Sequence, residues 1–331
     1  MLNPDIKFNS KIFTEKIEQI SPRDGFGEGL VLAGEMDERI IALCADVTES
    51  LRMNLFKNRF PERFIQVGIA EQNMTGIASG LAATGKIPVI GSYAIFSPGR
   101  NWEQIRTTIA LNNVPVIIAG SHAGLTVGED GATHQALEDI ALMRVLPNMI
   151  VVSSCDFNET RKAIKVLVEN KKPAYIRFER QKSVVITKEK APFEIGRAEK
   201  FWESRDPMVS IIATGPIVYE ALNAAKELME LGIEVNVLNI HTIKPIDEMA
   251  LVNEARITGA VVTVENHQKA GGLGSAVSEF LSQNRSVPIE IVGVDDRFGQ
   301  SGKPDELLRE YKLTKEEIIS SVKKALLRKK G

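Results

Sequence analysis

From residue 39 onward, short apolar runs alternate with longer stretches of helical period. The runs are IIALCAD (40–46), FIQVG (64–68), IPVIGSY (87–93), PVIIAGSH (115–122), MIVVSS (149–154) and AYIRFER (174–180). Between them, IAEQNMTGIASGLAAT (69–84) and NWEQIRTTIALNN (101–113) place small and apolar side chains three and four residues apart, the spacing of one helix face. Continuously apolar strands joined by helices predict an α/β fold, a mostly parallel sheet covered by helices on both faces. A second series follows, with strands VSIIATG (209–215), IEVNVLNI (233–240), AVVTVEN (260–266) and IEIVGVD (289–295) and helices near 217–231, 274–284 and 314–328. The stretch 181–207 breaks the rhythm with charges and two prolines, as a connection between domains does. The pattern therefore predicts an N-terminal extension over 1–19, a first α/β domain over 20–190, a linker over 191–207 and a smaller α/β domain over 208–331.

Composition narrows the function classes. A chain of 331 residues with 44% hydrophobic and 25% charged residues fits two globular domains. Its 41 Lys and Arg are interspersed with 43 Asp and Glu, so the net charge of -2 offers no field for nucleic acid and no basic patch for a membrane. No apolar run approaches the ~20 residues of a membrane helix. The start, MLNPDIKFNSKIF, lacks the apolar core of a signal peptide, which makes the cytoplasm the expected location. Cys44 and Cys155 lie in or beside apolar runs and are expected as buried, reduced thiols.

The stretch SHAGLTVGEDGATHQALED (121–139) follows an apolar strand and precedes a helix. Ligands of open α/β sheets bind outside the carboxyl ends of strands. Gly120, Gly124, Gly128 and Gly131 permit tight turns there, and two of the four histidines, His122 and His134, share the segment with Asp130. Histidine can exchange protons near neutral pH, although a hydrogen-bonded structural crossover would have the same composition. The twelve-residue separation of the histidines matches no helix-borne metal spacing, so no metal ligand is expected there. Glu71, in VGIAEQNMTG, opens a helix directly after a strand. Apolar neighbours would raise its pKa, and an ordinary first-turn acid fits as well. Tyr93 and Phe96 in GSYAIFSPGR are either core aromatics or a stacking surface for a ligand ring. AGGLGSA (270–276) lacks the full GxGxxG spacing and reads as close helix packing.

Taken together, VGIAEQNM, GSYAIF and GLTVGEDGATHQ resemble the transketolase family in order and spacing, within a similarity running from about residue 20 to about 325. The resemblance implies a pyrimidine-binding domain of the thiamine-enzyme type followed by a transketolase C-terminal domain. Full-length members begin with a further domain that binds the cofactor's diphosphate and Mg²⁺ through GDG followed by Asn, which has no match here. The chain thus looks like the C-terminal subunit of a split transketolase. Its partner would be an N-terminal transketolase subunit carrying the Mg²⁺ ligands, within a heterotetramer in which this chain dimerises. The implied reaction is transfer of a two-carbon ketol unit from a ketose phosphate to an aldose phosphate with thiamine diphosphate.

Residue by residue, Glu71 matches the glutamate that hydrogen-bonds the cofactor's aminopyrimidine ring nitrogen. Tyr93 and Phe96 match the aromatics around that ring, and Asp46 in LCADVTES matches an aspartate close to the cofactor. His122, Asp130 and His134 fall on positions that touch the sugar's hydroxyls and reacting carbons, with the two histidines and Glu71 in catalytic roles. Arg180 in FERQ, Arg23 in SPRD and Ser50 in DVTES match anion-binding positions, a task for which the planar guanidinium is suited. Ala123 and Gly99 depart from the long enzymes, which carry aspartate and a third aromatic there, and this touches substrate fit. His241 and His267 are assigned to structure or to a subunit interface. Deoxyxylulose phosphate synthase shares the AEQ and GATHQ elements but has arginine at the position of His122. A non-catalytic transketolase-like scaffold is the remaining alternative, and the retention of Glu71, both loop histidines and Arg180 weighs against it.

Overall fold

The computed structural model describes residues 1–330. Its larger sheet has seven strands in spatial order Thr242–Lys244, Ile150–Ser153, Ala174–Arg177, Ile117–Ser121, Ile87–Tyr93, Ile40–Cys44 and Phe64–Gln66. Every neighbouring pair is parallel except the first, where Thr242–Lys244 runs antiparallel to Ile150–Ser153. All six apolar runs of the first series thus become strands of one sheet. Their continuous apolarity follows from burial on both faces. Ile40, Ala42 and Cys44 pack with Phe26, Leu30, Ile164 and Leu167 of the helices Pro22–Met36 and Phe157–Asn170. Leu43 and Ile90 face the other way, against Met74 and Ala78 of the helix Glu71–Ala83. The helices Pro22–Met36 and Phe157–Asn170 approach so closely that a Cβ on Gly25 would stand 2.2 Å from the carbonyl oxygen of Phe157, so only glycine fits.

The second sheet has five strands in the order Ile289–Val294, Val261–Gln268, Val209–Ala213, Val235–Asn239 and Glu199–Trp202. Glu199–Trp202 pairs antiparallel with Val235–Asn239 and the other pairs are parallel. The helices expected near 217–231, 274–284 and 314–328 form Val218–Glu230, Leu273–Asn284 and Lys315–Lys330. At AGGLGSA the backbone N–H groups of Leu273 and Gly274 donate to the Glu265 carboxylate. A Cβ on Gly274 would lie 2.7 Å from Cγ2 of Ile291, the close packing that the segment suggested. Cys44 and Cys155 are buried and unpaired. Among the described residues no helix is long and apolar enough to cross a membrane.

Two local readings need correction. The stretch 191–207 is more than a connection, because Glu199–Trp202 is the edge strand of the second sheet and its Phe201 and Trp202 are buried. Lys200 at that edge masks the apolar run. The 1–19 extension packs on that strand: Asn3 N–H donates to the Phe201 carbonyl at 3.0 Å, and the Phe8 ring meets Phe201 edge-on at 5.2 Å. The helix expected over 101–113 runs only through Trp102–Gln104 before widening into a π-helical turn, Ile105–Ala110. There the Thr107 and Thr108 hydroxyls donate to the carbonyls of Glu103 and Gln104, competing with the regular ladder.

Candidate active site

The carboxyl ends of the larger sheet bring four of the singled-out rings together. Tyr93 ends its strand, and His122 follows Ser121 in a left-handed conformation with φ of 57°. Tyr93 stacks on His122 with centroids 3.9 Å apart and on Phe96 at 5.9 Å. His134, at the far end of the glycine-rich loop, meets Phe96 edge-on at 5.5 Å. His122 is 2% exposed, and its Nδ1 hydrogen-bonds the Ser121 hydroxyl at 2.8 Å. Burial above all, then the charges of Arg23 and Arg180 and the nearby His134, hold its pKa down to about 3. Its ring is neutral at working pH and can act as donor on one nitrogen and acceptor on the other.

A depressed histidine charges readily in the unfolded chain and not in the folded one. Its contribution to stability is complete above the unfolded value of about 6.5 and is lost as pH falls from there toward the folded value. His122→Asn, which tolerates positive φ, is expected to lose less melting temperature than the parent between pH 7 and pH 5. An unchanged acid slope in thermal melts would contradict neutral burial of His122.

Glu71 opens its helix and is 4% exposed. Its two carboxylate oxygens accept from Arg100 Nη1 at 3.3 and 3.2 Å, and the same guanidinium lies 4.1 Å from the centroid of the Phe96 ring. Asn101 Nδ2 donates to Thr75 Oγ1 at 2.8 Å and to the Glu71 carbonyl at 3.4 Å, which fixes the helix start. Sequence reasoning did not single out Arg100. It stands 29 positions from Glu71, and no spacing rule links the two.

Cationic groups line another side. Arg23 Nη1 donates to the Ser50 carbonyl at 3.1 Å, while its buried Nε has no partner. Burial, followed by the charge of Arg52, lowers the Arg23 pKa, and Arg180 adds to this repulsion. An anion there would relieve crowded positive charge. Arg180 Nη1 donates to the Val127 carbonyl at 3.1 Å and lies 3.8 Å from Asp130 Oδ2. Asp46, exposed and with φ of 60°, follows the strand Ile40–Cys44, and its N–H donates to Gln66 Oε1 at 2.8 Å.

The glycine-rich loop is held from beneath by groups that sequence reasoning missed. Glu179 accepts from Thr126 Oγ1 at 2.5 Å and from Asn266 Nδ2 at 2.9 Å, and Asn266 Oδ1 accepts the Leu125 N–H at 3.1 Å. A Cβ on Gly124 would stand 2.3 Å from Asn266 Nδ2, so this contact requires glycine. Asp139 Oδ2, just after the loop, accepts from Tyr175 at 2.7 Å and from Arg177 Nε at 2.9 Å. Arg177 Nη2 in turn donates to the Asn266 carbonyl at 2.7 Å. Asn266 sits on the strand Val261–Gln268 of the second sheet, so the second domain positions the loop of the first. Nearby His267 is fully buried, with Nδ1 on the Gln268 carbonyl at 2.7 Å, and burial holds its pKa down to about 4.

Comparison with known proteins gives the family of the chain. Residues 18–184 match the transketolase pyrimidine-binding domain and residues 201–318 the transketolase C-terminal domain. A putative transketolase C-terminal section of Methanocaldococcus jannaschii is 44% identical over 303 residues, covering 91% of this chain and 94% of that one. A 6-deoxy-6-sulfo-D-fructose transketolase subunit of Clostridium sp. (strain MSTE9) is 41% identical over 317 residues, covering 96% and 98% of the two chains. A solved structure described as a split gene transketolase, inactive beta4 tetramer, matches with a TM-score of 0.86 at 42% identity, over 94% of this chain and 100% of that one. With both domain matches spanning most of its length and relatives of this identity covered almost end to end, the chain belongs to the transketolase family.

Proposed function

We propose that this chain is the C-terminal subunit of a split, thiamine diphosphate-dependent transketolase that transfers a two-carbon ketol unit between sugar phosphates. The observation that carries the reading is the convergence of the buried Glu71 carboxylate with Tyr93, Phe96, His122 and His134 at one end of the larger sheet. The residues present fit the cofactor's aminopyrimidine. Arg100, flat and rich in N–H donors, already lies over Phe96 and on Glu71, the two contacts a flat ring with a protonated nitrogen would make. When bound, the thiazolium supplies the electron sink that side chains lack for cleaving a bond beside a carbonyl.

The protein's own groups have distinct tasks in this reading. Glu71 holds a proton at the aminopyrimidine nitrogen, Tyr93 and Phe96 bracket the ring, and Asp46 stands close to it. His122 and His134 hold and move protons at the sugar's hydroxyls, and Asp130 orients the donor ketose. Arg23 and Arg180, with Ser50, bind the phosphate. The Mg²⁺ ligands and the diphosphate cradle belong to an N-terminal partner chain, and two copies of each chain form a heterotetramer. The split-gene neighbour, described as an inactive tetramer of beta chains, supports inactivity of this chain by itself.

The test is ketol transfer from xylulose 5-phosphate to ribose 5-phosphate with thiamine diphosphate and Mg²⁺, using the chain alone and co-purified with its partner. Activity is expected only in the pair. A well-formed complex inactive on every phosphorylated ketose would overturn the sugar phosphate reading. Arg180→Ala removes a charge-assisted contact worth about 1.5–3 kcal/mol, so the KM for phosphorylated sugars is expected to rise by roughly 10- to 100-fold with kcat little changed. An unchanged KM takes Arg180 out of the phosphate site.

A further inference from the structure

A second group of chemistry-bearing residues lies where the two sheets meet, and the proposed reaction does not use it. Glu159 stands in the first turn of the helix Phe157–Asn170, and Glu199 opens the strand Glu199–Trp202. Asn239 is the register partner of Glu199, and His241 follows two residues later, just before the strand Thr242–Lys244 joins the first sheet. Glu159 is 1%, Glu199 9%, and Asn239 and His241 both 0% exposed. One carboxylate oxygen from each glutamate and a ring nitrogen of His241 all lie within 4.8 Å of one another.

The cluster has more electron pairs than donors. Glu159 accepts from Cys155 N–H at 2.5 Å and from Asn239 Nδ2 at 2.6 Å. Asn239 Oδ1, on the same amide, has no partner, and neither has His241 Nε2, while His241 Nδ1 is bonded to Thr242 Oγ1 at 2.9 Å. The neighbouring cation, Lys162, donates to the Ala191 carbonyl at 2.8 Å and acts on the cluster by its charge, with no hydrogen bond to either glutamate. Two buried carboxylates beside two orphaned atoms carry a large desolvation cost unless something positive joins them.

We propose that Glu159, Glu199 and His241, with the Asn239 amide holding Glu159 in place, form a buried site for one divalent cation of the zinc type, clamping the first domain to the second. Buried imidazole and carboxylate donors suit zinc, whereas Mg²⁺ keeps several waters and prefers oxygen alone. Burial pushes Glu159 up to about 8, with Glu199 and Asp156 adding to it, and pushes Glu199 up to about 7 against the charge of Lys162. Burial holds His241 down to about 3, in the neutral form that ligates metals. Positions 159, 199 and 241 form no local motif, so spacing along the sequence does not reveal them.

The test uses the full chain, purified without chelator and analysed by plasma mass spectrometry, then stripped and melted with and without added Zn²⁺. The expected result is about one zinc per chain. The melting temperature of the stripped chain rises with micromolar Zn²⁺, and Glu199→Gln, which preserves size, loses both the metal and the response. His241→Gln serves as a second variant with the same expectation. A stripped chain whose melting ignores Zn²⁺, or a zinc content that Glu199→Gln leaves unchanged, overturns the proposal.

Discussion

Glu71→Ala in the assembled enzyme is expected to lower kcat for ketol transfer by at least ~10²–10⁴-fold, the range over which a positioned proton-transfer group contributes. The carboxylate is 4% exposed and lies beside the rings of the site, and alanine offers no group to hold a proton there. The fold should survive the change. Arg100, its ion-pair partner, has a side chain 49% exposed and can rehydrate, so the lost pair costs little stability. Turnover by the purified complex, read beside its melting curve and assembly state, separates the two effects. Near-normal turnover would remove Glu71 from the chemistry, and loss of assembly would mean that it acts through structure.

Asp139→Ala is expected to destabilise the chain by about 3–5 kcal/mol, because it leaves the Arg177 guanidinium charged, buried and without its anion. The two side chains are only 1% and 2% exposed, and Tyr175 loses its acceptor in the same step. Arg177 also carries the bond to the Asn266 carbonyl, so the loop above should loosen together with the domain contact. Denaturant midpoints measure the cost, and hydrogen exchange over residues 124–137 reports the loosening. The double replacement Asp139→Leu with Arg177→Met should recover much of the loss, since a packed apolar pair has no charge to strand. A midpoint shift under ~0.5 kcal/mol would mean that water reaches the pair.

The alternation of apolar runs and helical stretches revealed most of both sheets, because parallel strands buried on two faces must be apolar throughout. It failed where strands are short or lie at an edge. Gln19–Ile20 pairs with Ser183–Val184 over two residues each, and Thr242–Lys244 has three, too few for any period to register. The candidate site, as the geometry gathers it, was legible where chemistry clusters in sequence, as in the loop with His122, Asp130 and His134, or where a ring pair sits three residues apart, as Tyr93 and Phe96 do. Arg100, Asn266, Glu179 and the Asp139 and Arg177 pair were not legible. Their partners stand far away in the chain, and each looks ordinary beside its own neighbours.

The strand Thr242–Lys244 crosses from the second half of the chain to complete the first sheet at Ile150–Ser153. Its covering role limits how these lobes can be recombined. A chain ended before residue 199 would leave the N–H and C=O groups of Ile150–Ser153 open along an apolar edge, and such edges pair with whatever strand they meet. The two lobes are therefore not interchangeable cassettes: a chimaera that takes its second lobe from another protein must bring a compatible edge strand, or its first lobe will aggregate.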